Sequence, residues 1–134
     1  MNITVSGPRG GLVDKHLMAY THLAIKNFAK QLGIGRLKLN LDVRLHHNMF
    51  VENNAEGLCE AHDDRNFTID VGLYSNWIVN LAHEMVHVKQ YARNELGIDD
   101  YDPDASLNPA DFPYEKEAYE LQEILLREYQ MRQR

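Results

Sequence analysis

One cysteine, Cys59, stands in 134 residues, so no internal disulfide can form and the stapled miniature folds of small secreted domains are excluded. Prolines number four, three of them confined to 103–113, which leaves 9–102 without one. No apolar run nears the roughly 18–20 residues that cross a bilayer. The opening MNITVSGPRGG lacks the charged-then-apolar layout of a signal peptide. A membrane association is therefore not expected, and the expected location is cytoplasmic. Positive charge is the scarcer sign: 14 Lys and Arg against 20 Asp and Glu give a net −6. That balance repels a phosphate backbone, so no nucleic-acid partner is expected. Internal repeats, low-complexity tracts and composition breaks are also missing. What is present, 44% hydrophobic and 25% charged residues, is ordinary globular composition at the length of one domain, and 1–134 is read as a single domain.

Periodicity divides the chain. Ile3 and Val5 around Thr4 suggest a short opening strand. Over 12–32, Val13, Leu17, Tyr20, Leu23, Ala24, Phe28 and Leu32 recur at three and four, the stripe of an amphipathic helix that Gly33 can terminate. Between 37 and 45 the period drops to two, with Leu37, Leu39, Leu41, Val43 and Leu45 alternating against polar residues, as in a half-buried strand. Two shorter runs, 55–62 and 66–71, flank Asp63-Asp64-Arg65 and read as a hairpin. The helical period returns over 76–96, with Ser75 as N-cap and Gly97 as terminator. Residues 97–113 hold three prolines and five aspartates and read as a loop, and 114–131 form a last helix opened by Pro113. Helix, strands, helix, loop, helix is an α+β order.

His83-Glu84-Met85-Val86-His87 falls inside the second of these helices. Helical residues four apart differ by about 40° in azimuth, so both imidazoles point one way and can grip one cation. Glu84 lies about 100° around from His83, within reach of a water held by that cation. Imidazole suits zinc, and a carboxylate beside an acidified water is the equipment of peptide hydrolysis. Shuffling this composition produces the five-residue pattern in about 3% of cases, so context must add weight. It does: Asn80, His83, Glu84, His87 and Gln90 gather on one side of an otherwise apolar helix, without the Lys–Glu pairs of a solvated face. The blander alternative is two core histidines beside a solvated glutamate. A catalytic zinc takes three protein ligands, and Gln90 and Arg93 stand where a nearby third histidine would have to be. The final helix, beginning Pro113-Tyr114-Glu115-Lys116-Glu117-Ala118-Tyr119, is the remaining source.

A His-Glu-x-x-His helix, a loop and a second helix bearing Glu-x-x-Ala resemble the gluzincins, zinc metallopeptidases of the thermolysin type, and especially their small single-domain bacterial and phage members. The resemblance covers roughly residues 66 to 126. It implies a zincin-like α+β fold: an N-terminal helix, a small mostly antiparallel sheet with 66–71 as the edge strand that aligns substrate, the His-Glu-x-x-His helix, and a C-terminal helix carrying the third ligand. It implies one catalytic Zn2+ held by His83, His87 and Glu115, with Glu84 as general base. Tyr119 replaces the acid that orients a ligand histidine in relatives, so another group must do that work or the alignment shifts by two. Glu117 is then the rival ligand, and Asp70 a further donor. Glu115 shares its helix flank with Tyr119, Gln122 and Leu126, whereas Glu117 shares a more charged one with Glu120, Ile124 and Glu128.

The expected function is hydrolysis of peptide bonds in a protein or peptide substrate. The alternatives are a zincin-fold binding or regulatory module without turnover, against which the retention of Glu84 argues, and a zinc hydrolase of a non-peptide amide. Donors to a developing oxyanion are open among Tyr91, Tyr114, Tyr119, His62 and Arg127. Other features have blander readings. Asp100, Asp102, Asp104, Asn108 and Asp111 echo a calcium loop, but Ala105 occupies the place that needs glycine, so the stretch reads as a solvated acidic loop. Adjacent His46 and His47 face opposite ways on a strand. His62 reads as a surface turn residue and Cys59 as a small buried hydrophobe.

Overall fold

Leu41, Val43 and Leu45 of one strand line up with Phe67, Ile69 and Val71 of another, and all six are buried. This match of apolar faces sets the register of the whole sheet. The computed structural model describes residues 1–7, 15–47, 56–96 and 112–132. In chain order these form β1 (Asn2–Ser6), α1 (Lys15–Gln31), β2 (Asn40–His46), β3 (Gly57–Ala61), β4 (Asn66–Gly72), α2 (Trp77–Ala92) and α3 (Pro113–Arg132). The class is α+β. The sheet order is β1-β2-β4-β3. Ile3 and Val5 of β1, and Gly57, Cys59 and Ala61 of β3, fall in register with the apolar residues of the inner strands. One face of the sheet is therefore apolar and meets the helices, while Thr4, Asp42, Arg44, Thr68 and Asp70 lie on the other.

Two expectations about the sheet are corrected. It is mixed, not mostly antiparallel: β1–β2 and β2–β4 run parallel, and only the β3–β4 hairpin is antiparallel. For β1–β2 the reason is α1, a crossover helix that returns the chain to the end where β1 began, and for β2–β4 it is β3, which runs opposite to β2 so that the hairpin brings β4 back parallel to it. Nor is the 66–71 strand an edge. β4 lies between β2 and β3, and β3 is an edge strand among the described residues.

The helix ends follow local chemistry. Gly33, at φ 75°, closes α1, with its N–H donating to Lys30 O and that of Ile34 to Ala29 O, a Schellman arrangement. The same geometry closes α2, but at Asn94, φ 61°, whose N–H donates to Tyr91 O while that of Glu95 donates to Gln90 O. Asparagine tolerates the left-handed region, so the helix stops before the expected Gly97. Its N-cap is Asn76 and not Ser75, with no side-chain capping bond. Pro113 opens α3 as expected. The stripe on α1 is rotated from the one read in sequence: Thr21, Ala24, Ile25, Phe28 and Ala29 are buried, whereas Leu23 is exposed. Tyr20 and Phe28 of α1 meet Tyr129 of α3 edge-on at ring-centroid distances of 5.5 and 5.7 Å, and Tyr20 also meets Trp77 of α2. Among the described residues no helix is long and apolar enough to cross a membrane.

Candidate metal centre

α2 buries Leu81, Ala82, Met85, Val86 and Val88 against the core and turns His83, Glu84, His87 and Gln90 towards β3 and α3. Fully buried Ala118 lets α3 lie close along α2. His83 and His87, one turn apart, bring their Nε2 atoms to 3.2 Å. Glu115, in the first turn of α3, reaches both: its Oε1 lies 2.6 Å from His87 Nε2 and its Oε2 lies 3.4 Å from His83 Nε2. The ligand atoms of the three residues lie within 4.8 Å of one another, a group that could hold a metal ion. Tetrahedral zinc with imidazole bonds of 2.0–2.1 Å separates its ligand atoms by about 3.3 Å. The nitrogen pair already has that spacing, and the shorter His87–Glu115 contact is a hydrogen bond that a cation would replace.

The outward nitrogens are also held. Gln90 donates its amide to Tyr114 O at 2.8 Å and Glu117 Oε1 at 3.0 Å, which turns its Oε1 towards His87 Nδ1 at 2.8 Å. A carboxamide oxygen can only accept, so His87 Nδ1 carries a proton, and a cation replacing the Nε2 proton that bonds Glu115 would find Nε2 already aimed at it. Gln122 Oε1 does the same for His83 Nδ1 at 2.8 Å. The missing acid at position 119 is thus answered by Gln122, three residues further along the same flank. Tyr119 instead packs its ring edge-on against His83, centroids 4.7 Å apart. Sequence reading placed Gln90 and Gln122 on the right faces and missed their role, although a glutamine three after His87 was a readable signal.

For the side chains alone, burial lowers the proton affinity of both histidines, but hydrogen bonds with Glu115 and the nearby Glu84 charge outweigh it, so both titrate above their usual 6.5. Burial pushes Glu115 up, and the bonds from His83 and His87 pull it down further, to about 2. Burial raises the Glu84 carboxyl. Glu84 is only 6% exposed, and its buried Oε2 has no hydrogen-bond partner among the described residues. β3 packs closely against it: a Cβ on Gly57 would meet Glu84 Cγ at 3.5 Å, in ordinary van der Waals contact, and Cys59 and Ala61 continue the small face. A cleft of about 1050 Å³ results, floored by α2 and walled by β3 and α3.

The other candidates lie apart from this cluster. Glu117, on the more charged flank, is partly exposed and does not reach the cluster. It pairs with Lys89 Nζ at 3.1 and 3.2 Å and accepts from Gln90, so it fastens the residue that orients His87. Asp70 is across the sheet, 2.7 Å from His46 Nε2, and His47 is exposed. His62 bonds Thr68 Oγ1 at 2.8 Å on the polar face of the sheet. Cys59 packs against the core but also lines the cleft, where burial and the Glu84 and Glu60 charges push its thiol well above the usual range. Tyr91, Tyr114 and Tyr119 line the cleft, whereas Arg127 and His62 do not. The calcium-like stretch 100–111 lies outside the described residues. Comparison with protein-family models, with curated proteins and with solved structures returns no match to this chain.

Proposed function

We propose that the chain is a zinc-dependent peptidase of the gluzincin kind, with His83, His87 and Glu115 as ligands and Glu84 as general base. The observation that carries the reading is Glu84: a buried carboxylate lining the cleft beside the ligand cluster, with an Oε2 that has no hydrogen-bond partner among the described residues. A structural metal site needs ligands and no such group, and leaving a carboxylate oxygen buried without a partner costs roughly 1–3 kcal/mol. Zinc bound there would supply Lewis acidity and a water that ionises near neutral pH. The Glu84 carboxylate takes the proton of the attacking water, and burial, by raising its pKa, fits it to keep that proton until the leaving nitrogen accepts it. Gln90 and Gln122 keep both imidazoles in one tautomer throughout. The edge strand β3 offers backbone N–H and C=O groups to an extended peptide. Tyr119, half-exposed at the cleft, has its phenol raised by burial and by Glu115 and Glu84, so its O–H remains a donor to the developing oxyanion.

The test is metal analysis together with turnover. Purified protein supplied with zinc at neutral pH should take up about one equivalent and cleave denatured protein or peptide substrates. Glu84→Gln should keep zinc and fold while turnover falls by about 10²-fold or more. Failure to take up zinc would sink the reading, and loss of zinc in Glu84→Gln would move Glu84 into the ligand set.

A further inference from the structure

The charged groups lining the cleft have one sign. Beyond Glu84 and Glu115 they are Glu56, Glu60 and Glu123, and no Lys or Arg among the described residues lines it. Some carboxylates elsewhere are paired with cations, Asp42 with Arg44, and Glu95 and Glu117 with Lys89. Glu60 alternates to the far face of β3, 4.0 Å from His62, which leaves Glu56 and Glu123.

These two stand at the same end. α2 and α3 run antiparallel, since Gln90 meets Tyr114 and Glu117 while His83 meets Gln122, so Glu123 belongs to the His83 end of the cleft. Glu56 belongs there too, because its Oε2 accepts from Asn76 at 3.2 Å and Asn80 at 3.4 Å, the turns of α2 before Glu84. The asparagine amides orient Glu56 without cancelling its charge. Tyr91, Leu96 and Tyr114 line the cleft beyond His87. Glu84, with its buried and unpartnered oxygen, lies between the acidic end and this more apolar one. A divalent cation on the ligand cluster is offset by Glu84 and Glu115, so the charge left uncompensated is that of Glu56 and Glu123.

Resting on the peptidase reading, we infer that the cleft selects peptides with a Lys or Arg side chain close to the scissile bond, the cation held by Glu56 and Glu123. An acidic side chain at that position meets two carboxylates and is excluded by repulsion. A norleucine peptide is the neutral control for a lysine peptide of the same sequence.

The zinc-loaded wild type should cleave the lysine peptide with about tenfold higher kcat/KM than its norleucine analogue, a ratio that shrinks as salt rises. Glu56→Gln should bring the ratio to about threefold or less, and Glu56→Gln with Glu123→Gln to about one. Binding is read separately, by fluorescence anisotropy of the same two peptides on zinc-loaded Glu84→Gln protein, where the same ratio should appear in Kd. Equal cleavage and equal binding of the two peptides, or a ratio unmoved by both substitutions, overturns the inference and leaves the peptidase reading standing. Lysine-selective binding that Glu56→Gln removes, with no cleavage by the wild type, upholds the cationic subsite and sinks the peptidase. Neither cleavage nor selective binding overturns both.

Discussion

Two histidine–carboxylate pairs of almost equal length lie on opposite sides of the sheet: His87–Glu115 at 2.6 Å in the cleft and His46–Asp70 at 2.7 Å on the polar face. Distance alone does not separate them, and their surroundings do. His46 is followed by His47 on a strand, where successive side chains diverge, so Asp70 meets one imidazole. His87 has His83 one helical turn away, so Glu115 meets two. Both cleft imidazoles have Nδ1 fixed by a glutamine, and the buried Glu84 carboxylate stands beside them. Convergence and orientation, more than the presence of a His–acid contact, make one pair a candidate metal centre.

The largest effect should come from breaking that convergence. His87→Ala or Glu115→Ala leaves two ligands, and zinc affinity measured by chelator competition should fall by more than about 100-fold, with the zinc-dependent rise in melting temperature lost. Glu117→Ala should keep zinc and weaken it only about threefold to tenfold, because it removes a contact to Gln90 and no ligand. The reverse order would transfer the third ligand to Glu117.

The next effect tests orientation. Gln122→Ala frees the His83 ring and should cost about 10–100-fold in zinc affinity while leaving all three ligands in place. An unchanged affinity would mean that Tyr119 packing alone positions His83. The contrast also marks what could be read from sequence. His83, Glu84, His87 and Glu115 were legible because spacing within a single helix, or a motif on the next, encodes them. Gln122 was not, because its meeting with His83 depends on how far α3 slides along α2. The β3–β4 hairpin was legible from alternation and its turn residues. The order of the strands was not, since β1–β2 pairing depends on the α1 crossover and β4 enters between β2 and β3, and neither leaves a mark on any one strand. The β3 wall of the cleft was hidden for a further reason: Gly57, Cys59 and Ala61 are weakly hydrophobic, so their alternation marks no strongly apolar face.

A smaller and graded effect should appear with pH. His83 and His87 titrate above 6.5 when folded, so without zinc their stabilising contribution is fully present below about 6.5 and is lost as pH rises through the folded values. Glu115, lowered to about 2, contributes above its usual 4.5 and loses that contribution as pH falls towards 2. The cluster alone therefore stabilises most between about 4.5 and 6.5. Zinc requires the histidines deprotonated and gains affinity as pH rises through the same folded values. Melting curves with and without zinc should nearly coincide at pH 5.5 and separate widely at pH 8. A zinc shift equally large at both would show that the histidines are not ligands.

The smallest effect is expected from the other member of the comparison. His46 and Asp70 are partly exposed, at 28% and 21% for their side chains, so water screens the pair. Pairs of this kind contribute about 0–1 kcal/mol. The backbone of β2 at His46 is held independently, since its carbonyl accepts the Leu73 N–H at 2.8 Å. His46→Ala should thus change unfolding free energy by no more than about 1 kcal/mol in urea titration and leave zinc content untouched. If instead His46→Ala reduced zinc content as much as His87→Ala, the distinction between the convergent pair and the isolated one would fail, and the sheet's polar face would have to be counted as part of the metal centre.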